Sequence, residues 1–370
     1  MKITKISVLA VVCLLVCSLT LGAAWTQKRL TNNVGNSTYA DIAVNGSNVY
    51  VVWEDNTAGN YEIYFKKSTD NGATWQTNKR LTSNSGSSCS PAIAVNGSNV
   101  YVVWEDDTPG DIKIYFRKSA DGGATWQAIK QLKSNIYNQQ NPDIAVYGSN
   151  IYVIYLENIS GQEIMFLKSY DGGANWGAFA QLVYDIDTVQ IGLAVNGLNV
   201  YVVYKDSEKI YFLKSGDGGM TWKPKQNISN STGGTDNPNI GVSGSNVYVV
   251  FVDNSPGNCE IFLKKSADAG ATWQVAKRIS RNTGWSRYPA VAARSSNVCV
   301  AWEDDMPGNN EIFFRKSADG GATWQTKMRL TFNQGSSEFP EIAVSASNIY
   351  VVWDDSSPGN WEIYLKYSPL

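Results

Sequence analysis

Six copies of the pattern Ser-x-Asp-x-Gly-x-x-Trp recur along this chain at an almost constant interval. They are Ser68-Asp70-Gly72-Trp75, Ser119-Asp121-Gly123-Trp126, Ser169-Asp171-Gly173-Trp176, Ser215-Asp217-Gly219-Trp222, Ser266-Asp268-Gly270-Trp273 and Ser317-Asp319-Gly321-Trp324. Successive tryptophans lie 51, 50, 46, 51 and 51 residues apart. A period of this length is one small antiparallel sheet, and a string of such sheets closes into a propeller.

The second unit shows how a repeat becomes a blade. Ala92–Val95 reads as a short strand, and Asn96-Gly97-Ser98-Asn99 as a hairpin turn that needs positive φ. Val100–Trp104 returns as a strand of β-branched and aromatic residues. A polar loop over Asp106–Asp111 leads to a third strand at Ile112–Lys118, and Trp126–Leu132 is the fourth. Apolar residues on both sides of the strands fit a sheet sandwiched between two neighbours.

The signature of the first two strands occurs seven times, around Ile42, Ile93, Ile144, Leu193, Ile240, Val291 and Ile342, although the Ser-x-Asp pattern occurs six times. The chain ends account for the difference. Trp25–Leu30 matches Trp75–Leu81 as an orphan fourth strand, and Trp361–Tyr367 is an orphan third strand. Their pairing would complete a seventh blade and leave no open sheet edge between the termini. The expected fold is all-β: a seven-bladed propeller of four-stranded antiparallel blades, its ring closed by the N-terminal strand.

The recurring motif resembles the Asp-box, or BNR repeat, of the sialidase-like propellers, and the resemblance covers residues 25–370. It implies that the motif joins the third and fourth strands, away from the site face. The residues suit a structural role. Asp can accept backbone N–H groups of its own turn, Gly supplies φ > 0, and Trp packs on the blade. One carboxylate per turn is too few oxygens for calcium, so no metal and no cofactor is expected.

Residues 1–24 read as a secretory signal, with Lys2 and Lys5 before the apolar run Ile6–Leu21 and small residues at Gly22-Ala23-Ala24. The expected product is secreted or held at the cell surface, as a single propeller domain over 25–370 with no membrane insertion after cleavage. Its 29 basic and 33 acidic residues are interspersed, which gives no electrostatic footprint for nucleic acid. Cys89, Cys259 and Cys299 remain, an odd number. Cys299 stands where other repeats carry Tyr, and Cys259 where Tyr61 and Trp361 stand, so packed thiols are expected rather than a disulfide framework.

Positions where near-identical repeats disagree are where a specific pocket would be written. At the start of the innermost strand the series runs Tyr39, Ser90, Asn141, Gln190, Asn237, Tyr288 and Phe339. Two residues on it runs Asp41, Ala92, Asp143, Gly192, Asn239, Ala290 and Glu341. From these, Tyr39, Asp41, Asn141, Asp143, Gln190, Asn237, Asn239, Tyr288, Phe339 and Glu341 are the candidate ligand-binding residues. A second cluster follows the second strand, as in Trp53-Glu54-Asp55 and Trp302-Glu303-Asp304. Its carboxylates either serve turn chemistry or ring the axial opening.

Resemblance to sialidases implies three arginines on a substrate carboxylate, a Tyr–Glu nucleophile pair, an acid–base Asp and an Arg-Ile-Pro motif. The motif is missing, and the family has six blades where seven are counted here. Arg29, Arg80, Arg278 and Arg329 fall in fourth strands, and Arg117 and Arg315 in third strands. Arg281 and Arg287 alone flank a connection expected to face the opening. With no histidine, Ser–His and Cys–His nucleophiles are excluded. The reading is therefore a non-catalytic binding propeller for a glycan or a cell-surface protein. The alternative is an exo-acting glycosidase using Asp41, Asp143, Glu341 and Arg287.

Overall fold

The computed structural model describes residues 24–108, 110–133, 136–159, 161–187 and 190–370. The expected signal at 1–24 lies outside these apart from Ala24. Seven four-stranded antiparallel sheets form a ring, a seven-bladed β-propeller. In blade 2 the strands are Ser88–Asn96, Asn99–Asp106, Lys113–Ser119 and Lys130–Gln131. The fourth strand is thus far shorter than the Trp126–Leu132 read from sequence. Gln127 N–H still donates to Lys118 O at 2.8 Å, but Ala128 and Ile129 then leave the ladder and face solvent on the outer edge.

Blade 7 is built from both chain ends: Ser337–Val344, Asn348–Asp355, Glu362–Pro369 and Thr26–Arg29. The closing pair runs Thr26 opposite Tyr367 to Arg29 opposite Tyr364. Arg29 meets the fully buried Glu362 at 3.0 Å, and Ile363 N–H donates to Thr31 Oγ1 at 2.8 Å. Arg80–Glu62 and Arg329–Glu311 repeat that ion pair inside blades 1 and 6, at 2.6 and 2.7 Å. The fourth-strand arginines are therefore structural, and so are Arg117 and Arg315, which hold main-chain carbonyls of Gln127 and Ile279.

The core sits in the seams between blades. One cluster joins Tyr50, Val52, Ile63 and Phe65 of blade 1 to Ile93, Val100, Val102 and Trp104 of blade 2. The closing seam is built alike, with Ile42, Val51 and Trp53 of blade 1 against Leu30, Tyr350, Val352, Ile363 and Leu365 of blade 7. Burying sheet faces seam by seam lets a long chain fold without one oversized core.

The Ser-x-Asp-x-Gly-x-x-Trp turns belong to these seams as much as to their own blades. Ser119 Oγ donates to Asp121 Oδ1 (2.7 Å) and accepts from Gly123 N–H (2.8 Å), while Asp121 Oδ1 accepts from Thr125 N–H (2.8 Å). Hydrogen bonds from Thr74 and Ser68 hold Asp70 down at a pKa of about 2. Trp126 stands edge-on to Phe65 of the preceding blade, centroids 5.1 Å apart, so the ring crosses the seam rather than packing only on its own blade. Gly123 lies against that Phe65 at φ +85°, where a Cβ would come within 2.4 Å of the ring. Cys89, Cys259 and Cys299 are free thiols, and Cys299 is buried.

Candidate functional site

Among the described residues, six inner strands begin with an irregularity that aims a side chain at the axis. The pairing register shifts between Thr38 and Asp41, Cys89 and Ala92, Gln140 and Asp143, Asp236 and Asn239, Arg287 and Ala290, and Glu338 and Glu341. The bulged residues Tyr39, Ser90, Asn141, Asn237, Tyr288 and Phe339 have φ between 45° and 52°. Such a conformation is unfavourable for Tyr and Phe and persists only where the surroundings enforce it. Five of the six precede proline, whose missing N–H suits a bulge that has left the ladder.

Carboxyl groups from the neighbouring blade enforce it. Tyr39 N–H donates to Asp354 Oδ2 at 2.8 Å, Ser90 N–H to Glu54 Oε2 at 2.8 Å, Asn141 N–H to Glu105 Oε2 at 2.9 Å and Phe339 N–H to Glu303 Oε2 at 3.2 Å. In blade 5 a side-chain amide does the same work, Asn237 N–H donating to Gln190 Oε1 at 3.1 Å. Glu54, Glu105, Glu303 and Asp354 are therefore seam clasps outside the cavity wall, while the aspartates beside them serve turn chemistry, Asp55 and Asp106 accepting Thr57 and Thr108 N–H at 2.9 Å. Burial raises the pKa of Glu54 and Glu303 to about 7, with Arg287 offsetting only part of it at Glu303, and raises that of Asp354 well above the usual carboxylate range.

The result is an axial cavity of about 360 Å³ lined from all seven inner strands. Tyr39, Asp41, Asn141, Asp143, Gln190, Asn237, Asn239, Tyr288, Phe339 and Glu341, all singled out from sequence, lie in its wall. The rim divides in two. Blades 6, 7 and 1 supply an aromatic arc, with Phe339 stacked on Tyr39 (5.1 Å) and edge-on to Tyr288 (4.7 Å). Blades 2 to 5 supply Ser90, Asn141, Gln190 and Asn237. Arg287 is not part of this wall. It lies on the same side of the ring, its guanidinium 4.6 Å from the centre of the Trp285 ring.

Deeper in the cavity, acidic or amide residues alternate with Ala or Gly around the ring. Asp41 Oδ1 accepts from Ile42 N–H (2.7 Å) and Oδ2 from Ile93 N–H of the next blade (2.8 Å). Asp143 bridges Ile144 and Leu193 in the same way, both at 2.7 Å, and Asn239 reaches Val291 N–H at 3.1 Å. The small residues Ala92, Gly192 and Ala290 leave room for these bridges. An odd number of blades cannot complete a two-fold alternation, so Glu341 of blade 7 falls beside Asp41 of blade 1. The next inner-strand amide, Ile42 N–H, is already taken by Asp41. Glu341 holds the amide of its own neighbour Ile342, and burial followed by repulsion from Asp41 and Asp143 raises its pKa well above the ordinary value. Desolvation raises Asp41 to about 6, and desolvation with the Asp41 charge raises Asp143 to about 7. Among the described residues, no lysine or arginine lines the cavity.

Sequence reasoning missed the clasp by Asp354 and Glu54 and a groove beside the cavity at the seam of blades 7 and 1. The signal for the groove was present in the variation at Tyr61, Cys259 and Trp361.

No protein-family model matches the sequence, and no curated protein matches it. The fold is similar to that of a polysaccharide lyase of family PL25, an ulvan lyase whose structure holds -[GlcA(1-4)Rha3S]-, at 13% identity and a TM-score of 0.63 over 90% of this chain and 93% of that one. It is also similar to a protein of unknown function from Dyadobacter fermentans DSM 18053 (12% identity, TM-score 0.54, 93% of this chain and 99% of that one). Trypanosoma rangeli sialidase shares 11% identity and a TM-score of 0.53 over 94% of this chain and 60% of the sialidase. At such identities the likeness is one of fold: this chain is a seven-bladed β-propeller with structural neighbours among sialidases and polysaccharide lyases.

Proposed function

We propose that this protein is a secreted or cell-surface member of the Asp-box propellers that binds a neutral saccharide in its axial cavity without cleaving it. The observation that carries the reading is the composition of the wall. Aromatic faces on one arc stack on the apolar faces of sugar rings, and amides on the other satisfy hydroxyl groups. A volume of about 360 Å³ is at the small end of small-molecule sites and suits one or two sugar units.

Charge selects among saccharides. The sialidase and ulvan lyase neighbours have names or bound ligands that point to acidic sugars. Here three acids and no base line the cavity among the described residues, so a sialyl, uronate or sulfate group meets repulsion, and more of it as pH rises and Asp41 and Asp143 ionise. A cell-surface protein presenting such a glycan is a partner of the same kind.

One observation favours the alternative, an exo-acting glycosidase: Glu341 is a buried carboxyl in the cavity wall whose pKa burial raises well above the ordinary value, the direction a general acid needs. Against it, both oxygens of Asp41 and of Asp143 are engaged with backbone amides of two blades, which suits scaffolding better than nucleophilic attack. A panel of fluorogenic glycosides separates the readings, since steady aglycone release lost on Glu341→Gln would establish catalysis. Binding is tested on a glycan array. Retention should fall with Asn141→Ala and Tyr288→Ala and survive changes in the Asn45-Gly46 turn at the opposite end of the inner strand. Loss on the turn changes alone would place the site on the other face.

A further inference from the structure

Beside the axial cavity, at the seam of blades 7 and 1, lies a groove of about 340 Å³ that shares Tyr39 and Phe339 with it. Its outer walls are Tyr61 and Trp361, the residues that begin the third-strand segment in blades 1 and 7. At that position other blades carry Ile112, Gln162, Glu208, Cys259 and Asn310. Ser90, Asn141, Gln190 and Asn237 replace Tyr39 on the rim of blades 2 to 5. Blades 7 and 1 alone are aromatic at both places, and they are adjacent, so this seam alone has an aromatic path from the axis outward.

The groove is built rather than incidental. Trp361 N–H donates to Asn36 Oδ1 at 3.1 Å and Ser37 N–H to Trp361 O at 2.8 Å, which ties the two walls together. Asp354, 1% exposed, lies in its lining. Its Oδ2 accepts from Tyr39 N–H at 2.8 Å, which holds Tyr39 between the axial cavity and the groove. The ring of a sugar unit can stack against the faces of Tyr39, Tyr61 and Trp361.

We propose that this groove is a second saccharide subsite, continuous with the axial cavity, so that the ligand is an oligosaccharide chain. One end lies on the axis and the following unit runs radially over Tyr39 to Trp361. The proposal rests on the saccharide reading of the axial cavity.

The test is calorimetric titration of the mature protein with neutral ladders of one to four units from the gluco, manno and N-acetylglucosamine series. Affinity should rise about tenfold or more between one unit and two or three. Trp361→Ala and Tyr61→Ala should each remove most of that gain and leave the single unit bound as before, with Trp361→Phe retaining part of it. Tyr61→Ala and Trp361→Phe keep the test decisive if Trp361→Ala does not fold. A length gain unchanged by all three variants overturns the groove and leaves the axial reading standing. Chain binding that falls with the groove variants but ignores Asn141→Ala and Tyr288→Ala upholds the groove and overturns the axial reading. If no ladder binds, both fall.

Discussion

Replacing Glu54 by Gln isolates the energetics of a seam clasp. The carboxyl group is 5% exposed, accepts Ser90 N–H at 2.8 Å and Thr38 Oγ1 at 3.3 Å, and has no cation beside it. Desolvation raises its pKa from the ordinary 4.5 to about 7. Between those values the folded chain holds a proton that the unfolded chain releases, so wild-type stability must fall as pH rises through this window. At about 1.4 kcal/mol per pKa unit, ionising Glu54 in the fold costs on the order of 3 kcal/mol at pH 8 and under ~1 kcal/mol at pH 5. Glutamine keeps the oxygen that Ser90 N–H needs and carries no charge. Unfolding free energies from urea titrations of both proteins at pH 5 and pH 8 should therefore diverge by about 2–3 kcal/mol in favour of Glu54→Gln at the higher pH. Asp143 and Glu303 titrate with the same sign in both proteins and cancel in the difference. Parallel pH profiles would refute the argument that these clasps are buried acids held against their preference for water.

Two further outcomes concern the scaffold. A chain beginning at Asn32 loses the burial of Leu30 and leaves Glu362 without Arg29, so its unfolding free energy should drop by about 5 kcal/mol or more; unchanged stability would mean the ring does not need its N-terminal strand. Ser119→Ala should leave the buried Gly123 N–H unpaired, at a cost of about 1–3 kcal/mol in urea unfolding, while array binding stays intact.

The number of blades, the closure by Trp25–Leu30 and the wall of the axial cavity were all legible in the sequence, because a repeat exposes by comparison what is constant and what varies. The rim residues stood out since a scaffold does not need Tyr39, Asn141 and Phe339 at one equivalent position. The roles of Asp41 and Asp143 were only half legible. Both line the cavity as expected, yet each also spends its two oxygens on amides of adjacent blades, a contact between residues about 50 apart that no local pattern reveals. Sequence separation hid the seam clasps as well, since Glu54 reads as loop chemistry until Ser90, 36 residues on, is seen to lie against it. The groove was least accessible, because Tyr39 and Trp361 meet only through closure of the ring. Arg287, expected beside a connection facing the opening, lies on that side of the ring but outside the cavity wall, its guanidinium drawn over Trp285.

The central claim is that the axial cavity takes saccharide through aromatic faces and amides and rejects acidic sugars. Its most direct test is a paired calorimetric titration at pH 8 of a neutral oligosaccharide retained on the array and of the same oligosaccharide capped with sialic acid. The account predicts that the neutral chain binds and that the capped chain binds at least about tenfold more weakly. Tighter binding of the sialylated chain, or release of its sialic acid during the titration, would contradict it.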